Sequence, residues 1–438
     1  MHDPNITIAA IATPPGRGGI AIVRISGPES KRILTQAFAP ARAGARFISS
    51  RMVYGHVTGE DGRPLDEAMA VFFKSPRTYT RQDVAEIHTH GGLAAEAVLK
   101  RALSLGAAPA ERGEFTYRAF INGRIDLSEA QAVMDVISAD SAAALRNSVD
   151  RLRGGESGFI SDIKRRLLSL TALIDAQSDF PEEVDEGDTL SSIRKEGAEI
   201  ISRLESAADP ARARIISQGA RAVICGRANA GKSSLMNALL RTERAIVTDI
   251  PGTTRDEISE VVEIRGVKLT LTDTAGIRET SDPIEKIGVE RAKALIDTAD
   301  AVILLLDGSQ PLNDEDRRLM DMRDDRFIVC RSKDDLETYP HPADLIISAR
   351  TGEGLKELTD AIYAKLPLKE DDGALLSLRH MDAAQRALTA LKRAVSAPYL
   401  PLARQDITDA LAVIGEITGE TLSEDAISLM FESFCVGK

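Results

Sequence analysis

The sequence predicts a doubly wound α/β domain inserted into an α-helical domain, with an α+β domain ahead of both. Three observations carry this expectation. Between about 218 and 368, five apolar runs alternate with helical stretches, the order that builds a parallel sheet covered on both faces. On either side of that block, apolar residues recur at spacings of three and four. The first 120 residues instead mix short β-like runs with Gly/Pro turns.

In order, residues 1–120 carry the strand-like runs "AIVRIS", "AMAVFF" and "DVAEIHTH". Residues 121–217 are helical in texture, from "LSEAQAVMDVISADSAAALRNSVDRLRG" to "FISDIKRRLLSLTALIDAQSDF". Pro181 and the acidic run "EEVDEGD" interrupt that pattern before it resumes. Residues 218–368 supply the runs "RAVICG", "VKLTLTDT", "AVILLLD", "RFIVCR" and "DLIISA". Residues 369–438 are helical again, so the simplest topology places the α/β block inside a helical domain whose halves flank it.

A chain of 438 residues is too long for one ordinary core, and two or three domains are expected. Its composition, 43% hydrophobic and 28% charged, is that of a soluble globular protein. "AVILLL" (301–306) is far too short to span a bilayer, and no membrane association is expected. The opening residues lack a basic start followed by an apolar block, so the expected location is the cytoplasm. The formal charge of −12 opposes bulk attraction to nucleic acid, so any RNA contact needs a local basic patch or a partner. Three widely spaced cysteines argue against a disulfide framework. Cys225 and Cys330 sit in strand patterns and read as core; Cys435, in "FCVGK", does not.

"GRANAGKSS" (226–234) fits G-x-x-x-x-G-K-S directly after a strand and before a helix, the context that a phosphate-binding loop requires. Its glycines let backbone N–H groups turn toward phosphate oxygens, and the helix N-terminus adds positive potential. Lys232 is expected to reach the β/γ-phosphates, and the Ser233 hydroxyl to coordinate Mg²⁺. Asn229, Ala230, Gly231 and Ser234 complete the nucleotide contacts of the loop. Downstream, "DIPGTTRD" (249–256) offers Thr253 and Thr254 as switch-loop hydroxyls, and "DTAG" (273–276) puts Asp273 at a strand end near the magnesium. Thr248, Asp249, Ile250, Pro251, Gly252, Thr274, Ala275 and Gly276 are the remaining expected nucleotide neighbours in these two segments. In the Ras-like template a glutamine follows that glycine and orients the attacking water. Here the residue is Ile277, which cannot hold a water, so another group must do so.

Base recognition is expected from Ser332, Lys333 and Asp335, where Asn-Lys-x-Asp is the usual pattern. Asp335 can accept from the N1–H and exocyclic amine of guanine, which adenine does not offer, and Lys333 can lie along the ring. Serine is shorter than asparagine and weakens one contact. Ser348, Ala349 and Arg350 ("SAR", after "LII") are placed to hold the purine through backbone groups.

Together these segments resemble the tRNA-uridine-modifying GTPase family MnmE (TrmE). The resemblance rests on "ATPPGRGGIAIVRISG", "RGEFTYRAFINGRIDLSEAQAV", "DFPEE", "GRANAGKSSLMNAL", "IVTDIPGTTRD", "DTAGIRETSDPIEKIG" and the terminal "FCVGK". It implies a P-loop GTPase domain inserted in a helical domain and preceded by an α+β, folate-binding, dimer-forming domain. It further implies activation by nucleotide-dependent dimerisation, with K⁺ where other GTPases use an arginine finger. Asn229, Thr248, Ile250 and Thr253 match the potassium-binding positions, and Thr254 the magnesium-binding threonine. Glu285, in "DPIEKIG", matches the catalytic residue that orients the water, which accounts for Ile277.

By the same resemblance Arg24, Glu86, Arg124 and Lys438 match residues that bind a tetrahydrofolate derivative, 5-formyl or 5,10-methylene. The implied function is a potassium-stimulated GTPase acting with an FAD-dependent partner, MnmG (GidA), in a heterotetramer-type complex. The product carries a carboxymethylaminomethyl or aminomethyl group at C5 of the wobble uridine. FAD and NADH would reside on the partner, which would also make most of the tRNA contacts. Cys435 is a candidate residue of the modification site, as a nucleophile or redox group.

Alternatives accompany several of these assignments. Glu86, His88 and His90 recur at strand spacing, and two histidines with a carboxylate can bind metal. The loop "PPGRGG" (14–19), with Arg17, reads as a tight turn rather than a cover for the folate. A ribosome-assembly GTPase would share the phosphate motifs but would not account for the N-terminal domain or the tail.

Overall fold

The computed structural model describes residues 3, 5–242, 244–245, 259–274, 293–337, 339–368, 377–420 and 424–437. The chain divides into two compact units, one of Met1–Met134, Ile160–Lys164 and Leu411–Lys438, the other of Asp135–Phe159 and Arg165–Ala410. Among the described residues each contains a seven-stranded sheet.

In the first unit the strands are β1 (Ile8–Ile11), β2 (Ala21–Ser26), β3 (Phe38–Pro40), β4 (Val53–Thr58), β5 (Pro64–Phe73), β6 (Val84–Thr89) and β7 (Ala108–Pro109). They lie in the order β3-β4-β5-β6-β2-β1-β7, antiparallel except where β1 meets β7. Period-two alternation decides which face is buried. Val23 and Ile25 of β2, with Ala85 and Ile87 of β6, pack under the helices Ser30–Ala37 and Leu93–Ser104. Arg24 and Glu86 therefore face the other way, directly opposite each other across the β2–β6 pair.

A second apolar cluster in this unit joins Leu127 and Ala130 to Phe431 and Phe434 of the C-terminal segment. The helix Leu127–Ser138 starts with a reciprocal cap: the Asp126 N–H donates to the Glu129 carboxylate and the Glu129 N–H to that of Asp126. The long helical stretch read from sequence is divided here. Ser141 caps a new helix, Ala142–Leu152, by accepting from the Ala144 N–H at 3.1 Å.

The second unit is built on β8 (Ala220–Cys225), β9 (Arg244–Ala245), β10 (Ser259–Ile264), β11 (Val267–Asp273), β12 (Ala301–Asp307), β13 (Phe327–Ser332) and β14 (Leu345–Ile346). The order is β14-β13-β12-β8-β11-β10-β9. The five strands expected from sequence run parallel, while β10 and β9 add an antiparallel edge that the sequence reading did not include. The reason is local. Arg265 and Gly266, with φ of +50° and +83°, form a two-residue hairpin turn between β10 and β11.

Helices cover the sheet, and Cys225 and Cys330 are buried in it as expected, each thiol pushed up to about 12 by desolvation. The helical residues from before and after the sheet meet within this unit. Glu186–Ala207 packs along Met381–Ser396 so closely that a Cβ on Gly197 would lie 2.5 Å from Val395 Cγ2. The α/β sheet is thus embedded in a helical domain that follows an N-terminal α+β domain.

Candidate functional site

The chain leaves β8 at Cys225 and turns through residues 226–231 into the helix Lys232–Thr242. This loop lies at the carboxyl end of β8, between β11 and β12, where the winding of the sheet reverses. Gly226 has φ +146°, and a Cβ there would come 2.5 Å from the Leu305 carbonyl oxygen, so the loop hugs β12 only as glycine. Asn229 is exposed and takes the left-handed conformation, φ +61°. Ala230 is buried beside the half-buried Gly231.

The buried Lys232 ammonium donates to the carbonyl oxygens of Gly226 and Arg227, both at 2.8 Å, which fixes it against the loop. The Ser233 hydroxyl donates to Asp273 Oδ2 at 2.8 Å. A hydroxyl and a carboxylate, both oxygen donors suited to Mg²⁺, therefore meet at the start of the helix. Ser234 is exposed on the same turn. Thr274, also buried, donates to the Ile224 carbonyl at 3.2 Å and pins the end of β11 to β8.

The base-reading segment follows β13. Ser332 is buried, its hydroxyl 2.8 Å from the Ala230 carbonyl oxygen and 3.2 Å from that of Leu306. Lys333, at φ +62°, extends its ammonium to Asp307 Oδ2 at 2.8 Å. Asp335 accepts from the Ser348 hydroxyl at 2.7 Å and faces Arg350 Nε at 2.7 Å. The Ser348 bond foremost, with the charge of Arg350 adding to it, holds its carboxyl below the usual value against the opposing effect of burial. Ala349 packs half-buried against the sheet core between those two residues.

Sequence reasoning missed a second charge network here. Arg227, inside the phosphate loop, lies 3.7 Å from Asp307 and 3.4 Å from Asp316, and its guanidinium also donates to the Pro311 carbonyl at 3.2 Å. Asp307 thus faces both Arg227 and Lys333. Burial pushes its carboxyl up, but the bonds from Lys333 and Ser309 outweigh this and leave it lowered. The available signal was a charged residue ending the apolar run "AVILLLD" at its carboxyl end.

Thr248, Asp249, Ile250, Pro251, Gly252, Thr253, Thr254, Ala275, Gly276, Glu285 and Lys438 lie outside the described residues.

On the face of the first unit's sheet opposite those two helices, the half-buried Arg24 donates from Nε to Glu86 Oε1 at 2.9 Å. A cavity of about 540 Å³ opens over this pair, lined also by Tyr79 and Arg124. The Arg124 guanidinium donates to the Tyr79 carbonyl at 3.0 Å and stands 4.7 Å from the centre of that ring. Behind the wall, the Tyr79 hydroxyl is 2.9 Å from that of Thr116. Arg118, buried, spans to Glu114, Gln82 and the Ile6 carbonyl, so these residues of "RGEFTYRAFINGR" hold the wall rather than line the cavity.

The tail closes the same region. The Gly113 N–H donates to the Cys435 carbonyl at 3.2 Å, Val436 bridges to Arg112, and Arg24 Nη1 reaches the Gly437 carbonyl at 3.5 Å. Phe434 is buried 4.9 Å from Phe431, ring centre to ring centre, while Cys435 is exposed.

The histidine alternative does not assemble. His88 Nε2 is 3.5 Å from Glu86, but His90 turns to Asp66 at 2.8 Å, and no metal-competent group of three such side chains occurs among the described residues. The loop at 14–19 runs through bends and is tethered at its end by the Gly91 N–H, which donates to the Gly18 carbonyl at 3.1 Å. No described helix is long and apolar enough to cross a membrane.

Residues 7–124 match the family model described as GTP-binding protein TrmE N-terminus, and residues 127–435 match the MnmE helical domain. The chain is similar throughout to proteins named tRNA modification GTPase MnmE. Against that of Chloroflexus aurantiacus it is 43% identical over 454 residues, covering 99% of this chain and 100% of the other. The relative in Roseiflexus castenholzii is 42% identical over 472 residues, with 100% of each chain covered. The relative in Streptococcus gordonii is 41% identical over 451 residues, covering 99% and 98%.

Proposed function

The chain belongs to the MnmE (TrmE) family of tRNA modification GTPases, and from that premise we propose the particular reaction it serves. It is a potassium-stimulated GTP hydrolase working in the cytoplasm as a homodimer. With the FAD-dependent partner MnmG (GidA), in a heterotetramer-type complex, it adds a carboxymethylaminomethyl or aminomethyl group to C5 of the wobble uridine of certain tRNAs. Its domains are 1–120 for folate binding and dimerisation, 121–217 and 369–438 for the helical part, and 218–368 for GTP.

In the GTP site, Lys232 and the loop N–H groups hold the phosphates, and Asp335 selects guanine. Ser233, close to Asp273, fits a magnesium ligand set, with Thr254 as its second hydroxyl. Asn229, turned outward in its left-handed conformation, fits the start of a potassium shell that Thr248, Ile250 and Thr253 would complete. Charge growing on the β/γ bridge is offset there when both cations are bound. Glu285 orients the attacking water through its carboxylate.

In the N-terminal cavity, Arg24 Nε engages Glu86 Oε1, and Oε2, 3.5 Å from His88 Nε2, is the oxygen offered to the amide-like edge of a pterin. Arg124 and Lys438 add positive charge around it. The folate supplies the one-carbon unit, and FAD and NADH on the partner supply the redox chemistry.

The observation that carries this reading is the presence of both sites on one chain. A GTPase switch for ribosome assembly needs Lys232, Ser233 and Asp273 but has no use for a half-buried Arg24–Glu86 pair under its own C-terminal tail. Nucleoside analysis of tRNA from a deletion strain, with and without this gene, tests it. Loss and recovery of the C5-modified wobble uridine is the expected result, and unchanged nucleosides would sink the proposal.

A further inference from the structure

The N-terminal cavity is cationic in a chain whose formal charge is −12. Arg24, Arg77, Arg81 and Arg124 line it, against Glu86 as the sole lining carboxylate among the described residues. Three of these guanidiniums are engaged. Arg24 holds Glu86, Arg81 donates to the Asn122 carbonyl at 2.9 Å, and Arg124 donates to that of Tyr79. Arg77 is exposed and has no hydrogen bond or ion pair among the described residues.

Its backbone is nevertheless well tied. The loop between β5 and β6 closes on itself: the Ser75 N–H donates to Asp83 at 2.9 Å and its hydroxyl to the Arg81 carbonyl at 2.8 Å. The Thr78 hydroxyl donates to the Gln82 carbonyl at 2.6 Å, and Arg81 adopts φ +56° to complete the turn. A fixed loop thus presents a guanidinium fork at the cavity rim, a geometry matched to carboxylate.

We propose that Arg77, with Arg81 beside it, is the subsite for the carboxylates of the folate's glutamyl tail. This rests on the folate reading of the cavity. A reduced folate is uncharged in its pterin and carries its negative charge in the glutamates, each added glutamate bringing a further carboxylate. The inner charge, Arg24, is already satisfied by Glu86, so the surplus positive charge lies at the rim, where a tail would emerge. A polyanion such as RNA fits less well, because the Glu86 carboxylate repels it from the cavity floor.

The test titrates the full-length chain, at low ionic strength, with 5-formyltetrahydrofolate bearing one or three glutamates and with the carboxamide of 5-formyltetrahydropteroate, which bears neither a glutamate nor a free carboxylate. Affinity is expected to rise with tail length. Arg77→Gln should weaken the triglutamate about tenfold, as for loss of a charge-assisted contact. Arg77→Lys should recover part of this, and the carboxamide should bind wild type and variants alike. Carboxamide binding without any dependence on tail length, or a triglutamate affinity untouched by Arg77→Gln, overturns the subsite alone. Absence of binding by every folate form overturns the folate reading and the subsite with it. An Arg77→Gln variant that keeps triglutamate affinity but loses tRNA affinity overturns the proposal in favour of RNA.

Discussion

The Ser332 hydroxyl lies 2.8 Å from the carbonyl oxygen of Ala230, tying the residue that opens the base-reading segment to the phosphate loop. Both groups are buried, so the side chain that replaces the usual asparagine acts as a fastener between the two halves of the nucleotide site.

Ser332→Ala removes that donor and leaves a buried carbonyl short of a partner, a cost of about 1–2 kcal/mol. Nucleotide affinity should fall about tenfold, since the loop must then be ordered by the ligand. The preference for guanine should remain, because Asp335 is untouched. Fluorescent-nucleotide titration reads both quantities, and an unchanged affinity would mean the contact is incidental.

Asp335→Asn should shift preference from GTP toward XTP, in which a carbonyl replaces the exocyclic amine and can accept from the asparagine amide. The Ser348 hydroxyl, then Arg350, holds the Asp335 carboxyl low. The sign follows: its contribution is complete above the unfolded value of about 3.9 and is lost as pH falls through the lower folded value. GTP affinity should therefore show no titration of this carboxylate from neutral pH down to that range. Competition between GTP and XTP, repeated across pH, checks both statements.

Glu285→Ala should reduce turnover about 10²-fold or more while leaving GTP affinity nearly unchanged, as for groups that position a reactant. Single-turnover hydrolysis beside equilibrium binding separates the two effects. Normal turnover would hand the water to another residue.

Potassium should accelerate hydrolysis strongly, and sodium, too small for the oxygen cage proposed around Asn229, should not. Equal rates in the two salts at matched ionic strength would remove the potassium role from Asn229.

What the sequence made readable depended on whether the signal was contiguous. The phosphate loop is one unbroken motif between a strand and a helix; Ser233 meets Asp273 at the start of that helix, and Lys232 bonds to the loop's own carbonyls. The β10 arm of the hairpin escaped because "SEVVEI" interrupts its valines and isoleucine with glutamates, which a search for wholly apolar strands passes over. Arg227 and Asp307 escaped for a different reason, since only the parallel alignment of β8 with β12 brings them near each other. Nothing in the sequence around them marks Arg77 and Arg81. Their meaning depends on the register that sets Arg24 opposite Glu86, which no local pattern encodes.

Cys435→Ser isolates the chemistry of the tail from its packing. The tail is anchored by other groups: Phe434 is buried, the Cys435 carbonyl accepts from Gly113, and Val436 bridges to Arg112. The thiol itself is exposed, so serine should leave the fold, melting temperature and GTP hydrolysis intact. Serine also keeps the size of the side chain but not its nucleophilicity at neutral pH. If the thiol reacts during modification, C5-modified uridine should fall in a deletion strain complemented with this variant. Gly437→Ala supplies the contrast, because it attacks packing and leaves the thiol alone. Gly437 has φ +93°, and a Cβ there would lie 2.5 Å from the Ile11 carbonyl oxygen, so alanine should dislodge the tail from Arg24 and weaken folate binding. Full modification by Cys435→Ser, alongside impaired modification by Gly437→Ala, would leave the tail a packing role and the cysteine no chemical one.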